Sequence, residues 1–346
     1  MMIKVGGGYE VRVLVTGGLG FIGSHTSHML LQRGHQVLVL DNLSNSSVDT
    51  LDRINRLTEN QARFIKGDVL DDSILDEALS TYGIEGVIHL AALKSVKESM
   101  EDPERYHLNN VLGTEKLILK CLEHSVGRFI FSSSAAVYGD AESPVKEDAE
   151  FGKILSPYGK SKAECERILN KTCSDRGKPD IIILRYFNVA GAHPSGMLGE
   201  DTAGDEGNLM SHIIRTASGE KDKMLIFGGD YNTADGTGIR DYIHVMDVAR
   251  GHILALESPK RGINTYNLGS GMGTSVLGMI SAFENVNGLR VPHEIVDRRQ
   301  GDVGISFADS SKAKEELGWS AELGIVDMVR DSWNHEKRKL AIDTCI

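Results

Sequence analysis

Two short stretches hold the residue types from which a proton-transfer site can be built. They are Ser156-Pro157-Tyr158-Gly159-Lys160-Ser161-Lys162 and, two dozen residues upstream, Ser132-Ser133-Ser134. On a helix that starts after Pro157, Tyr158 and Lys162 are four apart and share a face, which sets an ammonium beside a phenol. A free tyrosine, with a pKa of about 10, is only about 0.1% phenolate at neutral pH, and a neighbouring cation lowers that pKa. Ser134, at the end of a strand, supplies a hydroxyl to hold or relay the proton. Such Tyr–Lys pairs also occur on ordinary solvated helix faces, so the surrounding elements must decide.

Those elements read as an α/β chain. Val11 to Thr16 is a continuous aliphatic and β-branched run, which predicts a strand buried on both faces of a parallel sheet. It leads into Gly17-Gly18-Leu19-Gly20-Phe21-Ile22-Gly23 and an apolar-periodic helix to about Arg33. The glycines permit a tight turn and let backbone N–H groups approach a pyrophosphate at the helix N-terminus. A second strand, Gln36 to Leu40, ends at Asp41, placed to accept from an adenosine ribose and to repel a 2'-phosphate, so NAD is preferred to NADP. Arg63 to Lys66 is a strand ending in Gly67-Asp68-Val69. There Asp68 either meets the adenine or caps the following helix, Ser73 to Tyr82. Gly86 to Leu90 leads to Ala91-Ala92-Leu93-Lys94, in which Lys94 reaches the nicotinamide ribose or stays an exposed loop lysine. A helix from about Asn109 to His124, a strand Arg128 to Ser132, the Tyr–Lys helix to Cys173 and a strand Asp180 to Arg185 complete the alternation. From Val189 to about Thr237 the chain turns irregular, then gives only short strands and helices. This predicts a smaller second lobe, with the ligand cleft between lobes.

Composition narrows the class. With 346 residues and a net charge of -11, the chain can bury a large core but does not suit a general nucleic-acid binder. Cys121, Cys165, Cys173 and Cys345 have no metal-type or redox-type spacing, which fits reduced thiols in a cytoplasmic protein. No stretch approaches the ~18 apolar residues of a membrane span, and Met1 to Glu10 lacks the apolar core of a signal peptide. Gly6-Gly7-Gly8 reads as a flexible extension.

TGGLGFIG at 16–23, DN at 41–42, SSSAAVYG at 132–139, SPYGKSK at 156–162, LRYFN at 184–188, GAHPSG at 191–196 and RDYIHVMD at 240–247 together resemble the UDP-glucose 4-epimerases, extended short-chain dehydrogenases, from Val11 to about Trp333. The resemblance implies a Rossmann domain with a doubly wound, seven-stranded parallel sheet, mainly residues 11–188. A smaller mixed α/β lobe for the UDP-sugar follows, mainly 189–346 with segments returning to the first domain, after an extension at 1–10. It also implies a homodimer paired through helices of the first domain. By motif match Ser134, Tyr158 and Lys162 are catalytic. Gly17, Gly20, Phe21, Ile22, Gly23, Asp41, Asn42, Asp68, Val69, Lys94 and Asn110 join Tyr158 and Lys162 in holding NAD, with no metal. Phe187, Asn188, Asn208, Leu209, Arg240, Arg299 and Asp302 fall where the UDP half of the substrate binds, with Ser134 and Ser306 toward the sugar. Ser306 stands where members restricted to plain hexoses carry a bulky tyrosine, which implies room for an acetamido group at C2. Two departures are Ala136, where a threonine is common, and Ala92, where a glycine is.

The implied reaction oxidises the sugar at C4 to a ketone and reduces it again on the opposite face. A 4,6-dehydratase shares the first step but needs an acid and a base to eliminate water, and here those positions are Ala135 and Ala136. A net alcohol dehydrogenase and a non-catalytic NAD(H) sensor are rival readings; the sensor would have no use for Ser134, Tyr158 and Lys162 together.

Overall fold

The computed structural model of the chain describes residues 4–5, 8–201, 208–299 and 302–343. The chain divides into two compact units. The first is Met1–Gly139, Ile154–Arg185 and Ala249–Tyr266; the second is Asp140–Lys153, Tyr186–Val248 and Asn267–Ile346.

The first unit is built on a seven-stranded sheet. From one edge to the other its strands are Ile263–Leu268, Asp180–Tyr186, Arg128–Ser134, Gly86–His89, Arg12–Thr16, Gln36–Asp41 and Arg63–Lys66. From Arg128–Ser134 to Arg63–Lys66 every neighbouring pair is parallel. The central strands bury nearly every residue, as their unbroken aliphatic runs require. The chain enters mid-sheet, runs outward to Arg63–Lys66 and returns on the other side at Gly86–His89. Arg12–Thr16 and Gly86–His89 therefore form a switch point, from whose carboxyl ends the following loops diverge. Leu14, Leu38, Leu40, Leu117, Phe129 and Ile183 belong to the core cluster of this unit.

Three features differ from the sequence reading. The strand Ile263–Leu268, preceded by the 13-residue helix Val245–Glu257, joins the sheet next to Asp180–Tyr186, in a region that the sequence reading gives as short strands and helices without naming which segments return to the first domain. The helix expected from Asn109 to His124 is preceded by helical segments from Val96, and His107–Leu112 is a π-turn between Pro103–Tyr106 and Gly113–Glu123. Within the N-terminal extension Lys4–Val5 pairs antiparallel with Gly8–Tyr9; Gly6 and Gly7 lie outside the described residues, as does Cys345.

In the second unit the strand Ile239–His244 pairs with Asn188–Ala190 and Ile305–Ser306 in parallel and with Gly273–Ser275 antiparallel. Met224–Phe227 and His293–Val296 form a separate parallel pair. The helices Leu209–Ala217, Val276–Asn287 and Ile325–Asp343 close a core of Met210, Ile213, Met279, Phe283, Met328 and Val329. Among the described residues no helix is long and apolar enough to cross a membrane.

Candidate active site

The helix Pro157–Arg176 starts as its sequence demands. The Ser156 side chain accepts from the Gly159 N–H, and Pro157 takes the first turn, where its missing N–H costs nothing. Gly159 sits so close to the turn at Ala135–Tyr138 that an added Cβ would lie 2.8 Å from the Ala136 carbonyl oxygen. This close approach brings Tyr158 to Ser134. The Ser134 hydroxyl oxygen accepts from the Ala136 N–H at 3.2 Å, leaving its proton to bond to the Tyr158 phenol. Lys162, 4% exposed, donates to the Ser132 carbonyl at 2.8 Å, and its Nζ lies 5.0 Å from the centre of the Phe131 ring.

The electrostatics correct one expectation. Burial pushes the Tyr158 pKa up; the hydrogen bond to Ser134 works against it without reversing the direction. Lys162 is not what tunes the phenol in the free protein. Burial instead pushes Lys162 itself down to about 8, against the opposing influence of Cys165 and Glu166. Below pH 8 Lys162 is thus mostly cationic. His89, held between Thr16 Oγ at 2.7 Å and Thr114 Oγ at 3.0 Å, is pushed by burial and by Lys162 down to about 3 and stays neutral.

The glycine loop fits a dinucleotide pyrophosphate. Gly17 has φ +67°, and a Cβ there would meet the Ala91 backbone nitrogen at 2.7 Å, so only glycine lets the two switch-point loops meet. The helix Phe21–Gln32 begins with Gly20, which offers no side-chain cap, so the first N–H groups at Phe21, Ile22 and Gly23 form an anion-binding end. Asp41, 6% exposed, is more committed than expected: Oδ2 accepts from Leu19 N at 3.0 Å, and Oδ1 from Leu43 N at 3.0 Å and Ser46 Oγ at 2.8 Å. It ties the glycine turn to the loop after the second strand. About one of its roughly four acceptor sites remains for a ribose. Asn42 donates to Asp68 at 2.8 Å, while Asp68 also accepts from Leu70 N. The cap of the next helix is Asp71, which accepts from Ser73 and Ile74, so Asp68 does not cap that helix. Val69 is buried in the core. Asn110 spends its amide on the loop that carries the exposed Lys94: Oδ1 accepts from Leu93 N at 2.9 Å, and Nδ2 donates to Leu93 O at 3.0 Å and Ser161 Oγ at 3.2 Å.

In the second unit the central strand gathers several predicted residues. Arg240 is opposite Ser306 in parallel register and Tyr242 opposite Asn188, so Arg240 and Ser306 share a face. Arg240 donates to the Ile239 carbonyl at 2.9 Å and lies 3.5 Å from the Asp302 carboxylate. Arg299 stacks on Phe227, its guanidinium carbon 3.8 Å from the ring centre. Phe187 is buried and Asn188 exposed. Asn208 caps the helix that begins at Leu209, accepting from Ser211 N and donating to Glu200 at 2.6 Å, so its side chain is largely occupied. Two residues absent from the sequence reading organise this region. Phe227 carries Arg299. Asp241, fully buried, accepts from Ser270 N, Ser270 Oγ, Gly271 N and Ala308 N, fixing the segment that follows Ser306.

A glycine loop at the switch point of a parallel sheet and a Ser–Tyr–Lys face beside it are the parts from which a dinucleotide-dependent enzyme can be built. Residues 13–269 match the NAD dependent epimerase/dehydratase family, and the chain belongs to it. Within that family the similarity is to UDP-glucose 4-epimerases. The chain is 47% identical over 330 residues to that of Haemophilus influenzae, covering 94% of this chain and 98% of the relative. The crystal structure of the UDP-glucose 4-epimerase from Stenotrophomonas maltophila with bound NAD and formylated UDP-arabinopyranose superposes with a TM-score of 0.93 at 43% identity, covering 96% of this chain and 100% of that one. The enzyme from Bifidobacterium longum in complex with NAD+ and UDP gives 0.92 at 43% identity, covering 95% and 99%.

Proposed function

We propose that the protein interconverts UDP-glucose and UDP-galactose by reversible oxidation at sugar C4, with NAD retained through the cycle. The observation that carries this reading is the hydrogen-bonded Ser134–Tyr158 pair with the cationic Lys162 on the same helix face. NAD, when bound, supplies a hydride acceptor and donor at C4 and a positive charge on its ring. Tyr158 takes the proton of the 4-hydroxyl and returns it, Ser134 donates to the phenol oxygen as negative charge builds there, and Lys162 offsets that charge. The first unit holds NAD through the glycine loop, Asp41, Asn42, Asp68 and Lys94, with Asn110 fixing the loop that carries Lys94. The second holds UDP through Asn188, Asn208, Arg240, Arg299 and Asp302, whose guanidiniums suit a diphosphate. Affinity resides mainly in the nucleotide, which leaves the hexose free to present either face.

Ala135 and Ala136 supply neither acid nor base for water elimination, which disfavours a 4,6-dehydratase. The small Ser306, on the same strand face as Arg240, leaves room for the acetamido sugars UDP-N-acetylglucosamine and UDP-N-acetylgalactosamine. Leu108, Leu112 and Leu119, at 49%, 36% and 47% exposure, form a stripe at helical spacing that supports a homodimer through these helices. Unpaired buried thiols at Cys121, Cys165 and Cys173 support a cytoplasmic enzyme. The reading is tested by supplying UDP-galactose and UDP-N-acetylgalactosamine separately and resolving the products chromatographically; absence of any C4 epimer overturns it.

A further inference from the structure

One polar cluster next to the Ser–Tyr–Lys face has no part in the mechanism above. Glu166 lies four residues beyond Lys162 on the same helix face, 3% exposed, and pairs with Arg185, 5% exposed, on the strand Asp180–Tyr186. Arg185 donates through Nε to Glu166 Oε1 at 2.9 Å and through Nη2 to Oε2 at 2.6 Å. Ser133 Oγ donates to the same Oε1 at 2.6 Å. On its other side Arg185 donates through Nη1 to the Tyr138 hydroxyl at 3.0 Å and stacks on that ring.

This arrangement grips the segment that carries Ser134 at both ends, at Ser133 and at Tyr138. The three serines are each tied to one face of the helix Pro157–Arg176, one turn apart: Ser134 to Tyr158, the Ser132 carbonyl to Lys162, and Ser133 to Glu166. A buried ion pair is seldom worth more to stability than packed apolar side chains of the same volume, so stability alone gives little reason for this one. We infer that Glu166, clamped by Arg185, is a positioning residue of the reaction: it locks the Ser132–Ser134 strand end against the Tyr158–Lys162 face and sets a buried carboxylate one helix turn from Lys162.

The charges facing Lys162 agree with that role. From its own helix come Tyr158, Cys165 and Glu166; from neighbouring strands come the Ser132 carbonyl, the Phe131 ring, neutral His89 and, behind Glu166, Arg185. Burial pulls the lysine pKa down to about 8 and Glu166 opposes it, so removing the carboxylate's charge must lower it further. The cation is then lost at a lower pH.

The inference rests on the epimerase reading but is testable apart from it. The 13Cε resonance of Lys162, assigned by its loss in Lys162→Met, is titrated in the NAD-bound protein without substrate. In Glu166→Gln its midpoint should fall by about one pH unit. The alkaline limb of kcat for UDP-galactose should fall with it, kcat at pH 7 should drop several-fold, and KM should stay within twofold. Because Glu166→Gln leaves Arg185 unpaired and can misfold, Glu166→Gln/Arg185→Gln is measured as well and should show a smaller downward shift, since loss of the guanidinium offsets part of the lost carboxylate. Glu166→Asp, which keeps the charge but shortens the reach to Ser133, should retain the midpoint and lose kcat. A folded Gln variant with the wild-type midpoint and limb overturns the inference. Failure of the wild type to epimerise overturns the functional reading instead, and the titration still tests Glu166.

Discussion

Replacing Gly23 by alanine separates the architecture of the dinucleotide loop from its chemistry. A Cβ at Gly23 would lie 2.1 Å from the Gly17 carbonyl oxygen and 2.7 Å from Gly18 Cα. Both are backbone atoms of the turn itself, so no side chain can swing away. The overlap is about 1 Å short of ordinary contact, and relieving it must displace the turn, at a cost of about 1–3 kcal/mol. At this chain length that lowers Tm by a few degrees. Gly20→Ala is the control: its Cβ would meet only the Gly17 oxygen, at 3.3 Å, so folding should be nearly untouched. The Gly20 methyl nevertheless stands at the helix N-terminus, and displacing the turn in Gly23→Ala disturbs the same end. The assay is a thermal melt of each NAD-depleted variant, followed by measurement of NAD retained per chain after reconstitution. Gly23→Ala should lose both stability and NAD, and Gly20→Ala only NAD. A Gly23→Ala melt indistinguishable from wild type would refute the steric argument, and full NAD retention by Gly20→Ala would refute the role of the helix end.

Four further outcomes are expected. Tyr158→Phe should cut kcat by about 10²–10⁴-fold while UDP and NAD affinities, read by calorimetry, stay near wild type; near-normal turnover would remove Tyr158 from the mechanism. Since Lys162 is a cation below about pH 8, wild-type kcat should decline above that pH, and Lys162→Met should lose most of its activity together with that limb; a normal alkaline limb in this variant contradicts the assignment. Arg240→Ala and Arg299→Ala should raise KM for UDP-sugars without changing NAD content, and a change confined to NAD would place these arginines wrongly. Ser306→Tyr should abolish turnover of UDP-N-acetylgalactosamine while sparing UDP-galactose; undiminished acetamido turnover by that variant shows that Ser306 is not the gate.

What the sequence disclosed follows the range of the forces involved. The glycine turn after a buried strand, and the Ser156-Pro157 start of the Tyr–Lys helix, are set by residues within one or two turns of chain and are legible at once. Burial is not. Spacing alone puts a cation beside a phenol, but only the packed structure shows desolvation raising Tyr158 and lowering Lys162. Asp41 is recognisable by position, yet its bonds to Leu19, Leu43 and Ser46 depend on how two loops fold back on each other. The clamp of Ser133, Glu166 and Arg185 joins a strand, the following helix and the next strand through bonds that span 33 and 19 residues, beyond the reach of local patterning, and its single hint is an acid one turn beyond Lys162. Which later segment returns to the first sheet is not legible, since the partner strand of Ile263–Leu268 lies about eighty residues earlier.

The most direct test of the central claim is to incubate the purified protein with UDP-galactose and no added cofactor, following UDP-glucose by chromatography and reduced cofactor by absorbance at the NADH band. The account predicts steady formation of UDP-glucose with no net accumulation of reduced cofactor, because NAD is retained and regenerated in each turnover. Formation of a 4-keto product with stoichiometric NADH, or bound NAD with no conversion at all, would contradict it.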